Sequence, residues 1–305
     1  MNNKHITRLL FILPFFMLLS CSKEDISEYT PNETDHSDEI SFKISFAPQS
    51  RVSTDTAFKA SWEDGDQIGI FASVYRSGEN DTLSSKASEN YFNNIRLTYT
   101  KATGLWKTGS GIKLRWPANG DALNFYAYYP YHVSATDPTS ILFNVAVPHN
   151  DSLYNTNCLL YSKNDNEGKG CKAGNPVLLH FTHALALVQM QINHPLQDGD
   201  SLSAILYGAK YGTILNLGAA NGSEVITNNN IANIRMYRME QQGDPNYNNL
   251  FTFRIMVPAQ TLQTGSKMFG IIWNNRLLID APIQNEKVLE AGHVYCLKRS
   301  LPAAI

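Results

Sequence analysis

Cys21 is the residue of this sequence whose position most clearly indicates a chemical modification. It follows an apolar run, residues 11–20 (FILPFFMLLS), which comes after the positive side chains Lys4 and Arg8. A membrane-spanning helix needs roughly 20 apolar residues, so this shorter run is typical of a secretory signal. The ending Leu-Leu-Ser-Cys predicts cleavage after residue 20 and attachment of acyl chains such as palmitate to Cys21. The alternative is an ordinary cleaved signal with a chance cysteine.

The three other cysteines, Cys158, Cys171 and Cys296, do not resemble a metal site, because their spacing fits no zinc pattern. In an oxidising compartment, Cys158 and Cys171 could form a disulfide across a loop. Alternatively, they are buried free thiols that act as small hydrophobic residues. The sequence leaves both possibilities open.

Residue patterns typical of catalysis are missing from the sequence. It has no Gly-x-Ser-x-Gly motif and no His-Glu-x-x-His motif. His180 and His183 are three residues apart in a predicted strand, so we expect their side chains on opposite faces. Glu63, Asp64 and Asp66 could hold calcium, but a turn with solvated acids is the favoured interpretation. We therefore predict no catalytic residue, metal or cofactor, and a protein that is not an enzyme.

Charge and composition indicate a protein that works outside the cytoplasm. The formal net charge is −2, which argues against a nucleic-acid partner. The sequence has 15 tyrosines and 14 phenylalanines, and only 17% of its residues are charged. Short apolar runs with Asn, Ser and Thr between them are typical of an extracellular β protein.

Residues 40–46 (ISFKISF) alternate apolar and polar side chains without exception. A period of two predicts a half-buried strand with one apolar face. The residues of that face are Ile40, Phe42, Ile44 and Phe46. Pro48 is expected to end the strand, and Arg51 follows in a polar loop.

Further strands are predicted on both sides of a turn-rich stretch, residues 157–175. Before it we expect strands at 67–71, 95–99, 112–115, 123–128 and 141–147. After it we expect strands at 177–181, 185–192, 203–207, 251–257, 267–273, 276–279 and 294–297. The predicted fold class is all-β, with two antiparallel β-sandwich domains in tandem. The chain is divided into a signal peptide (1–20), a lipidated flexible tether (21–39), an N-terminal domain (40–175) and a C-terminal domain (176–305).

Four segments, in this order, resemble the fimbrillin family, the type V pilin lipoproteins of Bacteroidetes-type anaerobes. They are residues 62–71 (WEDGDQIGIF), 116–131 with its Trp-Pro and FYAYYPY parts, 178–185 (LLHFTHAL) and 291–295 (AGHVY). The resemblance implies transthyretin-like sandwich domains. We expect Trp62 and Trp116 to fill the core, and Gly69 and Gly292 to serve backbone geometry.

The resemblance also implies a mechanism of assembly. In this family a protease cuts after an arginine behind the first strand, and a strand of a neighbouring subunit fills the groove that opens. Residues 40–46 and Arg51 match that arrangement, so other fimbrillin subunits are expected partners. Residues 298–305 lack an alternating apolar pattern, which favours a tip or accessory subunit in adhesion over a shaft subunit. The alternatives are a surface lipoprotein that binds glycan or host protein without polymerising and, less favoured, an accessory to a carbohydrate-active enzyme.

Two further resemblances concern location and modification. Residues 23–25 (KED), directly behind Cys21, resemble the signal that sends such lipoproteins to the outer face of the outer membrane. Four triplets read Asp, Ser or Thr, then an apolar residue, where average composition predicts about one; they resemble an O-glycosylation acceptor of the same bacteria. Their hydroxyl residues are Thr56, Thr82, Ser152 and Ser201.

Overall fold

The structure is a computed structural model of the 305-residue chain, in which Ser37–Ile305 forms one compact unit. The described residues are 38–47, 61–77, 83–109, 112–146, 157–195, 200–219, 223–239 and 249–301. Five predicted site residues lie outside them: Cys21, Arg51, Thr56, Thr82 and Ser152. Within these ranges, no helix is long and apolar enough to cross a membrane.

The predicted all-β fold class is confirmed by 20 strands. They are β1 Phe42–Phe46, β2 Gln67–Val74, β3 Phe92–Thr100, β4 Leu105–Thr108, β5 Leu123–Tyr129, β6 Ile141–Asn144, β7 Leu160–Asn164, β8 Val177–His183, β9 Leu185–Asn193, β10 Leu202–Lys210, β11 Gly212–Asn216, β12 Glu224–Thr227, β13 Ile231–Arg235, β14 Tyr237–Arg238, β15 Leu250–Pro258, β16 Gln260–Leu262, β17 Lys267–Trp273, β18 Arg276–Pro282, β19 Lys287–Leu289 and β20 Val294–Ser300. A 3₁₀ turn, Ala87–Glu89, lies between β2 and β3.

The strands form five sheets. The largest has seven strands in the order β1-β8-β7-β5-β2-β3-β4. The others have the orders β13-β10-β17-β18, β14-β15-β9-β20, β12-β11-β6 and β16-β19. Between the described strands, β1 with β8 and β20 with β9 are parallel pairs, and the remaining pairs are antiparallel. The predicted antiparallel sandwiches thus include two parallel pairs at the edges of their sheets, which the sequence analysis did not foresee.

Two hydrophobic cores meet where β8 passes into β9. Leu185 and Leu187 belong to the first core, whereas Ala186 and Val188, on the opposite face of β9, belong to the second. β8 follows the predicted boundary after residue 175, yet it pairs with β1 and β7 in the sheet of the first core. Later residues such as Leu215 and Leu217 also belong to the first core, so the two cores are not divided at one point of the sequence. The division into two domains stays a prediction.

β5 shows how the aromatic residues of the first core are arranged. All seven of its residues are buried, because it lies inside the seven-stranded sheet with both faces covered. Tyr128 of β5 lies opposite Gly69 of β2. A Cβ atom at residue 69 would lie only 2.2 Å from the Tyr128 ring. The glycine therefore gives the tyrosine ring room to cross β2.

Candidate functional site

β1 is the edge strand of the seven-stranded sheet and has β8 as its neighbour on one side. The pairing extends from Phe42 opposite Val177 to Phe46 opposite Phe181. At its two ends, the Val177 N–H donates to the Ser41 carbonyl (2.9 Å), and the Ala47 N–H donates to the Phe181 carbonyl (2.9 Å). Within the described residues, no strand covers the other edge of β1. The strand is therefore held to the sheet by a single ladder.

The predicted apolar face of this segment is confirmed. Ile40 is buried, and Phe42, Ile44 and Phe46 are partly buried against the first core. The ring of Phe42 meets Phe125 of β5 edge to face, with centroids 5.7 Å apart. The strand begins at Phe42 rather than Ile40, because the residues before it pair with another segment. The first strand thus packs its apolar face against the first core.

Trp62 is the centre of the aromatic cluster beneath the end of β1. Phe46 stacks on it with centroids 4.6 Å apart. Edge-to-face contacts join Trp62 to Trp106 (4.9 Å), Tyr129 (5.5 Å) and Phe181 (5.4 Å). The Trp62 Nε1 is buried without a hydrogen-bond partner in the described part of the chain. The ring is therefore held by packing, with Phe46 covering one of its faces.

The residues before β1 attach to a different segment of the first core. The Ile40 N–H donates to the Leu114 carbonyl (2.7 Å), and the Trp116 N–H donates to the Asp38 carbonyl (2.9 Å). Asp38 also forms an ion pair with Arg115. Asp38 and Glu39 thus contact residues 113–116, and the end of the tether at residue 39 stays a prediction. The predicted strand 112–115 is reduced to an isolated bridge between Glu39 and Arg115.

The Glu63–Asp66 turn leads from Trp62 into β2. Asp66 accepts hydrogen bonds from the Glu63 N–H (2.8 Å) and from the Tyr129 hydroxyl (3.0 Å). Burial raises the pKa of the Asp66 carboxyl. The Lys101 side chain pairs with Glu63 (2.7 Å), and its backbone N–H donates to Asp64 (2.8 Å). These acids serve a turn, and the described residues include no group of three or more potential metal ligands.

Cys158 and Cys171 are free thiols in the structure, so of the two possibilities the disulfide is not formed. The Cys158 Sγ lies 3.4 Å from the His183 Nδ1, and the Cys171 Sγ lies 3.4 Å from the Asn164 Oδ1. Burial raises the pKa of the Cys158 thiol and raises the pKa of Cys171 to about 11. Neither thiol is therefore activated as a nucleophile.

The two histidines of β8 lie on opposite faces, as predicted. His183 is buried, and this burial lowers its pKa to about 3. His180 is exposed and its Nδ1 lies 2.6 Å from the Ser45 hydroxyl of β1. Ser45 and His180 therefore form a polar contact on the solvent face of the strand pair. The sequence analysis did not foresee this contact, because it depends on the register of two distant strands.

Ser201 is the one predicted glycosylation residue within the described ranges. It is exposed at the start of β10, and its N–H donates to the Asn274 Oδ1 (2.8 Å). The preceding Asp200 accepts a hydrogen bond from the Asn274 amide (2.6 Å), and the following Leu202 is buried. The hydroxyl is accessible in this arrangement, and its glycosylation stays a prediction.

Comparison with known proteins identifies similar families and folds. The model of a family described as fimbrillin-like matches residues 50–303. A candidate cell adhesion protein of Bacteroides uniformis has a similar fold, with a TM-score of 0.56 and 15% identity over 86% of this chain and 92% of that one. Another, of Bacteroides ovatus, has a TM-score of 0.55 and 18% identity over 87% of this chain and 92% of that one. No curated protein matches the sequence.

Proposed function

Because this chain belongs to the fimbrillin-like family, we propose that it is a surface subunit of fimbriae that acts in adhesion. In this proposal, cleavage after Arg51 frees β1, and a strand of another fimbrial subunit takes its place. The observation that carries the proposal is the position of β1. It is an edge strand held by one ladder, its apolar face packs on the core, and it precedes Arg51 in the sequence.

The energetics of β1 explain why an emptied groove would need a new strand. A large apolar side chain contributes about 1.5–3 kcal/mol when it is fully buried. Ile40 is buried and three more apolar residues are partly buried, so loss of the segment costs roughly 4–8 kcal/mol. That is comparable with the whole stability of a typical domain, about 5–15 kcal/mol. The exposed edge of β8 would also present unpaired backbone groups.

The proposed lipid anchor at Cys21 is consistent with cleavage after Arg51. Residues 1–20 act as the signal peptide, and Cys21 carries the lipid that holds the protein on the outer face of the outer membrane. Arg51 lies between Cys21 and the rest of the fold in the sequence. A cut after Arg51 therefore separates the lipid and β1 from the core in one step. The subunit would leave its anchor at the moment when its groove becomes free.

We assign the subunit to the tip or an accessory position of the fibre. The last described strand, β20, pairs with β9 in its own sheet up to Ser300. Leu301 is buried, and its N–H donates to the Asn193 carbonyl (2.9 Å). A subunit that keeps this strand can accept a strand in the β1 groove without offering β20 to a neighbour. Purified, cleaved protein should therefore not form long fibres by itself.

Arginine-specific limited proteolysis tests the proposal. Cleavage after Arg51, identified by mass spectrometry, should give a destabilised protein that co-purifies with a co-expressed fimbrial subunit. Arg51→Lys keeps the charge but removes the cleavage site, so it is the matched control. This variant should be neither destabilised by the protease nor co-purified with the co-expressed subunit. Self-assembly of the cleaved protein into shafts would contradict the tip position. Cleaved protein that stays fully stable and accepts no strand would favour a non-polymerising surface lipoprotein that binds glycan or host protein.

A further inference from the structure

Two ion pairs lie at the end of the groove where the chain enters β1. The Lys113 Nζ lies 3.3 Å from the Glu39 carboxylate, and Arg115 pairs with Asp38. The four side chains are between 48% and 62% exposed, so water and salt screen both pairs. The acidic partners belong to the segment that would leave with β1. The basic partners belong to the part of the chain that would remain after β1 has left.

The segment that carries the basic pair also makes contacts that do not involve β1 or the residues before it. The side chains of Leu114 and Trp116, next to the two cations in sequence, are buried in the first core. Trp116 meets Phe125 edge to face with centroids 5.8 Å apart. The Arg115 carbonyl accepts a hydrogen bond from the Tyr91 hydroxyl (3.0 Å). When the first segment is removed, Lys113 and Arg115 therefore stay at the groove, without their acidic partners.

We propose that this basic pair selects the incoming strand by charge, favouring one with acidic residues directly before its alternating apolar positions. The inference rests on the proposed replacement of β1. In the chain's own segment (DEISFKISFA), Asp38 and Glu39 immediately precede Ile40. Each exposed ion pair adds up to about 1 kcal/mol to affinity at low salt, and complementary charge also speeds association and disfavours partners of the wrong charge. Lys113 and Arg115 thus select the strand that binds, while the apolar face of that strand provides most of its binding energy.

Competition between three peptides tests this selection on full-length protein that has been cut after Arg51. The labelled probe is residues 38–47 (DEISFKISFA). The competitors are a neutral peptide (NQISFKISFA) and a composition-matched peptide with the acids at the other end (ISFKISFADE). At low salt, the peptide with leading acids should bind about 2- to 30-fold more tightly than either competitor. The difference should shrink at 0.5 M salt.

Charge reversal provides the second arm of the test. In a Lys113→Glu, Arg115→Glu double variant, the preference should change to a peptide with two leading lysines (KKISFKISFA). Lys107→Glu, an exposed lysine on β4 at the opposite edge of the sheet, is the control and should keep the original preference. Equal binding of all the peptides would overturn charge selection while leaving strand replacement intact. Binding of no peptide at all would overturn strand replacement, and with it this inference.

Discussion

Phe46 and Trp62 stack face to face, with ring centroids 4.6 Å apart and planes inclined by 21°. Arg51 lies between them in the sequence, so a cut after Arg51 leaves the two rings on different chains. Trp62 also contacts Trp106, Tyr129 and Phe181, all of which stay with the core. This contact therefore joins the removable strand to the centre of the first core.

Replacing Phe46 should weaken the intact fold much more than replacing its exposed neighbour Lys43. Phe46→Ala removes the stacking partner of Trp62. Because Phe46 is only partly buried, we expect a loss of about 1.5–3 kcal/mol, less than for a fully buried phenylalanine. Lys43→Ala on the same strand should change stability by less than about 0.5 kcal/mol. Chemical denaturation measures both free energies of unfolding; equal values would contradict the packing role of Phe46.

Gly69 should tolerate no side chain while Tyr128 is present. In Gly69→Ala, the new methyl group would lie 2.2 Å from the Tyr128 ring, so the ring or β2 must move. We expect a loss of more than about 2 kcal/mol, as for other overpacked core positions. Thermal unfolding of a double-mutant cycle with Tyr128→Leu checks the cause, since the smaller side chain should recover part of the loss. Additive effects of the two substitutions would rule out this contact as the reason for the glycine.

His183 should make the fold less stable in mild acid. Its folded pKa of about 3 is below the ordinary 6.5, so the unfolded chain binds a proton that the folded chain does not. Above about pH 6.5 the imidazole is neutral in both states, so its titration does not lower the free energy of unfolding. As the pH falls from about 6.5 toward 3, the free energy of unfolding decreases by about 1.4 kcal/mol per pH unit. Denaturation between pH 7.5 and 5 should show this slope, and His183→Gln should reduce it. His293→Gln, at an exposed position, is the control; an identical slope in His183→Gln would refute the assignment.

Lipidation of Cys21 should determine where the protein is found. Cys21→Ala should leave an unprocessed precursor or release the protein from the membrane fraction. Protease added to intact cells should degrade the wild-type protein if residues 23–25 direct it outward. Membrane fractionation and immunoblotting measure both effects. Full protection in unpermeabilised cells would contradict surface display.

The strands with the strongest alternation or apolar content could be predicted from sequence. Residues 40–46, 67–71 and 123–128 all fall on observed strands, within a few residues of their ends. β7 was missed because three of its five residues are polar and it lies in a stretch rich in Asn and Gly. It is a strand because β5 and β8 flank it, and this tertiary pairing overrides local preference.

Strand partners and the reason for a glycine were harder to predict. Alternation assigns side chains to faces, but it does not say which distant strand lies alongside, so the parallel partner of β1 was not foreseen. Gly292 has a φ of +74°, which confirms its expected role in backbone geometry. Gly69 is absent from the described residues with positive φ, and its role depends on the ring of Tyr128, which is distant in sequence. The Cys158–His183 contact likewise joins two residues that are distant in sequence.

The fluorescence of Trp62 gives the most direct test of whether β1 is a replaceable strand. Protein cut after Arg51 is separated from its first segment, and peptide 38–47 is then added back. Emission should shift to longer wavelength when the segment leaves and return when the peptide binds. Trp62→Phe should reduce both changes. An emission spectrum that stays the same after the segment has left, or that the peptide fails to restore, would contradict strand replacement at this groove.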